Sequence, residues 1–165
     1  MQTSFTENQL KDKDNKTSET IIRKCVHCGM CNATCPTYGI NGEELEGPRG
    51  RIYLIKDMLE NKKPATKQIA KHIDSCLSCY SCMTTCPSGV NYMHLIDHGR
   101  NYVEETYKRP FFDRLFRNIL SFVLPRPKVF LLMALSSKII KPFSFLFPKF
   151  IRNALNLMPD KIPGK

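Results

Sequence analysis

The feature of this sequence that most constrains its fold is a cysteine motif that occurs twice with the same spacing. Each copy reads C-x2-C-x2-C-x3-C-P, the first over residues 25–36 and the second over residues 76–87. The two copies contain all 8 cysteines of the 165-residue chain. Because thiols at such short spacings act as a set, the fold has to gather two groups of four sulfur atoms.

The start of the sequence bears on the chemical state of these thiols. Residues 1–20 are polar and contain no apolar segment of the kind that defines a secretory signal peptide. We therefore expect a reducing compartment, the cytoplasm, in which clustered cysteines bind metal more often than they form disulfides. Two zinc sites are an alternative, although zinc modules usually present their cysteines as two separated pairs.

The spacing within each motif is that of bacterial two-cluster ferredoxins. In such a run the first three cysteines bind one [4Fe–4S] cluster and the fourth binds the other cluster. We predict that the first cluster is bound by Cys25, Cys28, Cys31 and Cys86. We predict that the second cluster is bound by Cys76, Cys79, Cys82 and Cys35. Each cluster with four thiolates carries about two negative charges. Four nearby cations either offset this charge or are ordinary surface residues: Arg23, Lys24, Arg49 and Arg51.

Hydrophobic periodicity predicts helices around both motifs. Apolar residues recur at helical spacing over residues 49–61, 66–75 and 92–106, and residues 20–24 resemble the end of a short helix. Asn91 is the expected N-cap of the third of these helices. Strand signals are poor, so residues 20–108 are predicted to form an all-α domain. Residues 37–47 are expected to be a loop, and residues 1–19 a flexible leader.

The basic charge of the chain is concentrated after residue 108. Residues 1–108 hold 14 Lys/Arg and 13 Asp/Glu, whereas residues 109–165 hold 11 Lys/Arg and 2 Asp/Glu. Prolines at positions 125, 127, 142 and 148 divide this second part, so it is predicted to be a series of short amphipathic helices, either an extension or a linker to a domain outside this chain. Its longest apolar run, Val129–Leu135, is shorter than the roughly 20 residues of a membrane span.

The aromatic residues of the second part have two interpretations. The residues concerned are Phe111, Phe112, Phe116, Phe122 and Phe130. We favour packing against a neighbouring domain or subunit over contact with a membrane surface. No nucleic-acid-binding motif is recognisable, and we expect no nucleic-acid partner. His72, His94 and His98 are expected to be surface or packing residues, because eight thiolates already complete two clusters.

The residues around the cysteines resemble a known family. CVHCGMCNATCPTY, GPRGRIYLIKDMLE and CLSCYSCMTTCPSGVNY are similar to segments of the iron–sulfur subunit of bacterial glycolate oxidase. The resemblance implies an α-helical ferredoxin domain that accepts electrons from flavin-bearing (FAD) partner subunits and passes them toward a membrane quinone pool. It implies an oxidoreductase subunit without a substrate site, which could lie peripherally on the cytoplasmic face of the inner membrane. The family's later cysteine-rich CCG domains have no counterpart in this sequence.

Three functions are thus open from the sequence. The first is the iron–sulfur subunit of a flavin-dependent glycolate oxidase; no glycine-rich dinucleotide fingerprint is present, so we expect the flavin on another chain. The second is the same role with another donor, such as glycerol-3-phosphate, lactate or a heterodisulfide system. The third is a basic zinc-binding module on nucleic acid.

Overall fold

The computed structural model describes residues 1–141 and 152–153, and within these residues it contains helices and no strand. The helices are α1 (Lys13–Lys24), α2 (Pro36–Asn41), α3 (Pro48–Asn61), α4 (Lys67–Asp74), α5 (Ser81–Thr84), α6 (Tyr92–Thr106), α7 (Phe111–Val123) and α8 (Pro127–Ile140). Three 3-10 turns lie at Gln9–Lys11, Met30–Asn32 and Glu44–Glu46. The predicted all-α class is therefore confirmed. The chain forms two compact units, Met1–Lys108 and Arg109–Lys165.

The core of the first unit lies between α3 and α6. The α3 side chains Ile55 and Met58 and the α6 side chains Leu95 and Ile96 are fully buried. Burying such side chains contributes roughly 1.5–3 kcal/mol each. Gly99 lets the two helices approach closely, since a Cβ at this position would lie 2.8 Å from Cγ1 of Ile55.

The helices predicted from periodicity are present. The ranges 49–61, 66–75 and 92–106 correspond to α3, α4 and α6. The predicted cap of α6 is also present, because the main-chain N–H of His94 donates to the side-chain oxygen of Asn91 at 3.3 Å. These three helices show that period and capping were sufficient signals where apolar residues line one face.

The structure corrects the prediction of an unstructured leader over residues 1–19. The carboxylate of Asp12 accepts the main-chain N–H groups of Asp14 and Asn15 and so caps α1. Gln9 is buried and its side chain donates to the carbonyl oxygen of Leu59 at 2.8 Å. Because α1 buries few of its residues, most of this segment is polar. Hydrophobic periodicity therefore did not predict a helix there.

The predicted loop over residues 37–47 is wrong in part. Pro36 occupies the first turn of α2, where its fixed φ favours helix, and Gly42 ends the helix with φ 65°. A 3-10 turn follows at Glu44–Glu46. Pro at the start and Gly after the end were sequence signals for this short helix.

The second unit contains α7 and α8, which are separated by Leu124, Pro125 and Arg126. Phe111 and Phe112 at the start of α7 are strongly exposed. In the described residues no single helix is long and apolar enough to cross a membrane. Only α7 and Pro127–Ser136 taken together reach that length and apolar composition, and the two are bent by 115° relative to each other. The predicted breaks at Pro142 and Pro148 lie outside the described residues.

Candidate metal centre

Both cysteine motifs follow the same backbone path. His27 and Ser78, which precede the second cysteine of each motif, have φ of 59° and 51°. Gly29 and Tyr80, which follow that cysteine, have φ of 85° and 57°. Left-handed residues on both sides of the second cysteine turn the chain sharply, and this is costly for residues other than glycine. The two motifs therefore share the same sharp backbone turn around their second cysteine.

The helices deliver the cysteines to these sites. Cys25 follows the end of α1 directly, and Cys76 lies two residues beyond the end of α4. Cys82 lies within α5, and Cys35 precedes the first residue of α2. None of the eight cysteines is paired in a disulfide.

Two cavities collect the thiols in crossed sets. The first cavity is lined by Cys25, Cys28 and Cys31 together with Cys86 from the second motif, and Cys82 also borders it. The second is lined by Cys76, Cys79 and Cys82 together with Cys35 from the first motif. The last cysteine of each motif thus lies at the cavity of the other motif, as crossed ligation requires. The assignment of individual ligands stays a prediction.

The buried thiols hold their protons tightly when no cation is bound. Burial, with the neighbouring Cys25 and Cys86 sulfur atoms, raises the pKa of Cys31 to about 11. Burial, with Cys31 and Cys76 nearby, raises the pKa of Cys82 to about 12. Metal binding must therefore displace protons, and a bound cation would relieve the repulsion among the resulting thiolates.

A buried ion pair lies beside the second cavity. The Arg51 guanidinium donates to the Glu46 carboxylate at 2.9 Å, and both side chains are almost fully buried. Nη1 of Arg51 lies 4.0 Å from the sulfur of Cys35. Burial acts to raise the pKa of Glu46, but hydrogen bonds from Ser75 and His72 outweigh it and the net shift is downward. The carboxylate is therefore charged, and Arg51 is held against the cysteine.

A tyrosine hydroxyl contacts the sulfur of a second cysteine that lines the same cavity. The Tyr92 hydroxyl donates to the sulfur of Cys76 at 3.7 Å, and Tyr92 is 3% exposed. Burial, with the charge of Cys76 nearby, raises the pKa of Tyr92 well above its ordinary value. The hydroxyl therefore keeps its proton and remains a donor.

The first cavity has different polar neighbours. The side-chain NH2 of Asn32 donates to the Glu44 carboxylate at 3.1 Å, which turns the Asn32 carbonyl oxygen toward Cys31, 3.9 Å from its sulfur. Arg49 lines this cavity and pairs with Glu44, and both side chains are partly exposed. The charge near this site is therefore more strongly screened by water.

The cations and histidines singled out in the sequence divide into buried and exposed residues. Arg51 and His72 are buried, whereas Arg23 is exposed and pairs with Glu19 on α1. The Nδ1–H of His72 donates to the Glu46 carboxylate at 2.8 Å. Tyr92 and Glu46 are site residues that sequence reasoning missed, because neither belongs to a cysteine motif and only the fold brings them to the sulfur atoms.

The donor set fits iron–sulfur chemistry. Four thiols line the second cavity, and four line the first with Cys82 at its border. Four thiolates are the usual ligands of a [4Fe–4S] cluster. Residues 21–90 match the family model described as a 4Fe-4S dicluster domain. This region is thus a helical iron–sulfur cluster-binding domain.

The chain is similar to particular iron–sulfur subunits. It is 48% identical to the glycolate oxidase iron-sulfur subunit of Escherichia coli over 87% of this chain and 35% of that protein. It is 32% identical to a probable glycolate oxidase iron-sulfur subunit of Bacillus subtilis over 68% of this chain and 26% of that protein. A succinate dehydrogenase iron-sulfur subunit of Paracoccus denitrificans is 28% identical over 42% of this chain and 29% of that protein.

These relatives confirm the resemblance to the glycolate oxidase iron–sulfur subunit. The chain spans about a third or less of the length of these relatives. No solved structure matches the chain.

Proposed function

We propose that this chain binds two [4Fe–4S] clusters and relays single electrons as an iron–sulfur subunit of an oxidoreductase. The observation that carries the proposal is the crossed arrangement of eight thiols around two cavities. We assign Cys25, Cys28, Cys31 and Cys86 to the first cluster. We assign Cys76, Cys79, Cys82 and Cys35 to the second cluster. The clusters supply reversible one-electron carriage when bound.

The residues of the chain hold the two sites together and shield them. Crossed ligation ties residues 25–35 to residues 76–86, so neither motif can move away without losing a ligand. Buried Cys25 and Cys82, with Pro48 and Tyr92 lining both cavities, keep water away from the inner side of each site. The exposed Cys28 and Cys79 bring each site to the surface, where an electron can enter or leave.

Iron and sulfide analysis tests the cluster assignment. Anaerobically purified protein is expected to contain about eight irons and eight sulfides, with absorbance near ~400 nm that bleaches on reduction. A colourless protein with about two zinc ions would reject the proposal and support the zinc alternative.

We further propose that the electron donor is the flavin (FAD) of partner subunits that oxidise glycolate, and that the acceptor is a quinone pool. The similarity to two glycolate oxidase iron–sulfur subunits supports this donor. Similarity to succinate dehydrogenase subunits supports a second candidate, the same relay serving another donor. Copurification with a flavoprotein, followed by substrate-dependent bleaching, decides between them: glycolate should bleach the clusters, whereas glycerol-3-phosphate or lactate should not.

We also propose a cytoplasmic location, with peripheral attachment at the inner membrane. The excess of 11 Lys/Arg over 2 Asp/Glu in residues 109–165 supports this location, because basic segments are attracted to the anionic lipids of the cytoplasmic leaflet. Cell fractionation tests it. The protein should sediment with inner membranes at low salt and be released at high salt, and a fully soluble distribution at low salt would contradict it.

A further inference from the structure

The two cluster sites share a backbone path but differ in the side chains that face the sulfur atoms. A donor aimed at a ligating sulfur stabilises the extra negative charge of the reduced state and raises the reduction potential. The main chain turns in the same way around the second cysteine of both motifs, whereas the side chains that face the sulfur atoms differ between the two sites. Each residue of the first motif has its counterpart 51 positions later, as Cys25 has Cys76.

The second site has side-chain donors at two of its four cysteines. The Tyr92 hydroxyl donates to Cys76 at 3.7 Å. Nη1 of Arg51 lies 4.0 Å from Cys35.

A threonine adds a further donor at the second site. The Thr37 hydroxyl lies 3.2 Å from the sulfur of Cys35 and 2.7 Å from the carbonyl oxygen of Glu46. When Cys35 is a thiolate, its full negative charge competes with that neutral carbonyl for the hydroxyl proton. Ser88, the counterpart of Thr37, lines the first cavity but makes no hydrogen bond to a cysteine sulfur in the described part of the chain.

The first site presents a side-chain acceptor to a sulfur atom. The second site also has an acceptor, the Glu46 carbonyl oxygen 3.7 Å from the Cys35 sulfur, but there Arg51 and Thr37 reach the same sulfur. The sulfur of Cys31 lies 3.9 Å from the side-chain carbonyl oxygen of Asn32. Glu44 fixes this orientation by accepting from the Asn32 NH2 group. The oxygen dipole repels additional negative charge on Cys31. Arg49 offsets part of this repulsion. Both arginines are paired with a glutamate, but the Arg49 pair is partly exposed, whereas the Arg51 pair is buried.

We infer that Tyr92, Arg51 and Thr37 make the second site, with ligands Cys76, Cys79, Cys82 and Cys35, the higher-potential of the two. The inference rests on the proposed function, which places a cluster at each site. The reduced partner flavin loses one electron, and one cluster gains that electron and is reduced. An electron that enters at either site is then held mainly by the cluster of the second site. Tyr92, Arg51 and Thr37 are positioning residues, because they act on that cluster through the sulfur atoms of its ligands.

The test is an EPR-monitored redox titration of the anaerobically purified chain with Tyr92→Phe, which removes only the hydroxyl. Wild type is expected to show two one-electron steps. In Tyr92→Phe the step at higher potential should move down by about tenfold in its equilibrium constant, which is about 59 mV for a one-electron couple, and the lower step should stay. Tyr102→Phe on the same helix, a partly buried tyrosine that contacts no cysteine sulfur among the described residues, should move neither step.

Thr37→Val is the second variant and should also lower the higher-potential step. Movement of the lower step instead, or of neither step, in the two variants would overturn the inference. Loss of iron in both variants would overturn it as well, because the hydroxyls would then be holding the site and not adjusting its potential. Failure of the proposed function is distinguishable, since wild type itself would then lack about eight irons and two reductive steps.

Discussion

The guanidinium of Arg51 and the carboxylate of Glu46 form an ion pair at 2.9 Å that is almost completely buried beside the second cysteine site. The pair joins α3 to the turn that precedes it, and Glu46 also contacts His72 on α4. Water cannot reach the buried pair to solvate its charges. Arg51 therefore stays next to Cys35 only while the Glu46 carboxylate balances its positive charge.

Glu46→Gln is therefore expected to destabilise the protein by about 3–5 kcal/mol, because it leaves Arg51 buried without its counter-charge. Glu44→Gln is the matched control, since it breaks the partly exposed pair with Arg49, which is worth about 1 kcal/mol or less. Urea unfolding of the purified proteins, followed by circular dichroism, measures both. Equal losses in the two variants would contradict the central role of the buried pair.

The cysteine sites and the main helices could be predicted from the sequence, because their signals are local. Motif spacing identifies the cysteines, and a 3.6-residue period identifies α3 and α6. The negative charge of the clusters pointed to Arg51 as one of four cations that could offset it, but nothing in the sequence predicted its burial. The network of Arg51, Glu46 and His72 spans 26 residues from Glu46 to His72, and no periodic signal reports such a long-range contact.

The N-terminal helix shows the opposite case. In α1 only Ser18, Ile21 and Ile22 are buried, so hydrophobic periodicity was too weak to predict it. The usable signal was the cap at Asp12, a short-range feature that is easily discounted when the following residues are polar. Packing against the rest of the first unit, which depends on tertiary structure, makes this helix stable.

Crossed ligation predicts a specific pattern of iron loss. Cys35→Ser and Cys76→Ser remove ligands from the same site, so the double variant is expected to retain about four irons, like each single variant. Cys25→Ser combined with Cys35→Ser removes ligands from both sites and should leave almost no iron. Anaerobic iron analysis measures the difference. If each motif bound its own cluster, the two double variants would exchange these results.

His98 is expected to make stability depend on pH. Its Nδ1 lies 2.7 Å from the hydroxyl of the fully buried Ser18, and burial lowers its pKa below the ordinary value of 6.5. The charged groups around it act in both directions, with His94 lowering the pKa and three carboxylates raising it: Asp14, Asp12 and Glu105. The unfolded chain therefore binds more protons as pH falls through 6.5, and stability is lost there.

Thermal unfolding from about pH 7.5 to about pH 5.5 measures this effect. The midpoint of the wild-type protein should fall more steeply than that of His98→Asn, whose side-chain oxygen can still accept from Ser18. The two proteins should converge in pH dependence above neutral pH, where His98 is uncharged in both states. Parallel slopes over the whole range would show that His98 does not cause the loss.

Gly50 is required because α3 begins in contact with the turn at Glu44–Glu46. A Cβ at this position would overlap the main-chain carbonyl oxygen of Glu44, and main chain cannot move aside as a flexible side chain can. Gly50→Ala should therefore push α3 away from that turn, weaken the Arg51–Glu46 pair and cost about 1–3 kcal/mol or more.

Gly39→Ala is the control for this last substitution, because Gly39 also lies in a helix but a Cβ there would meet nothing within 4 Å. Alanine favours helix over glycine by about 0.5–1 kcal/mol, so Gly39→Ala is expected to be neutral or stabilising. Opposite signs for the two substitutions in urea unfolding would place the cost of Gly50→Ala in the contact with Glu44. If Gly50→Ala were as stable as wild type, close approach of α3 to the Glu44–Glu46 turn would not be what holds Arg51 in place.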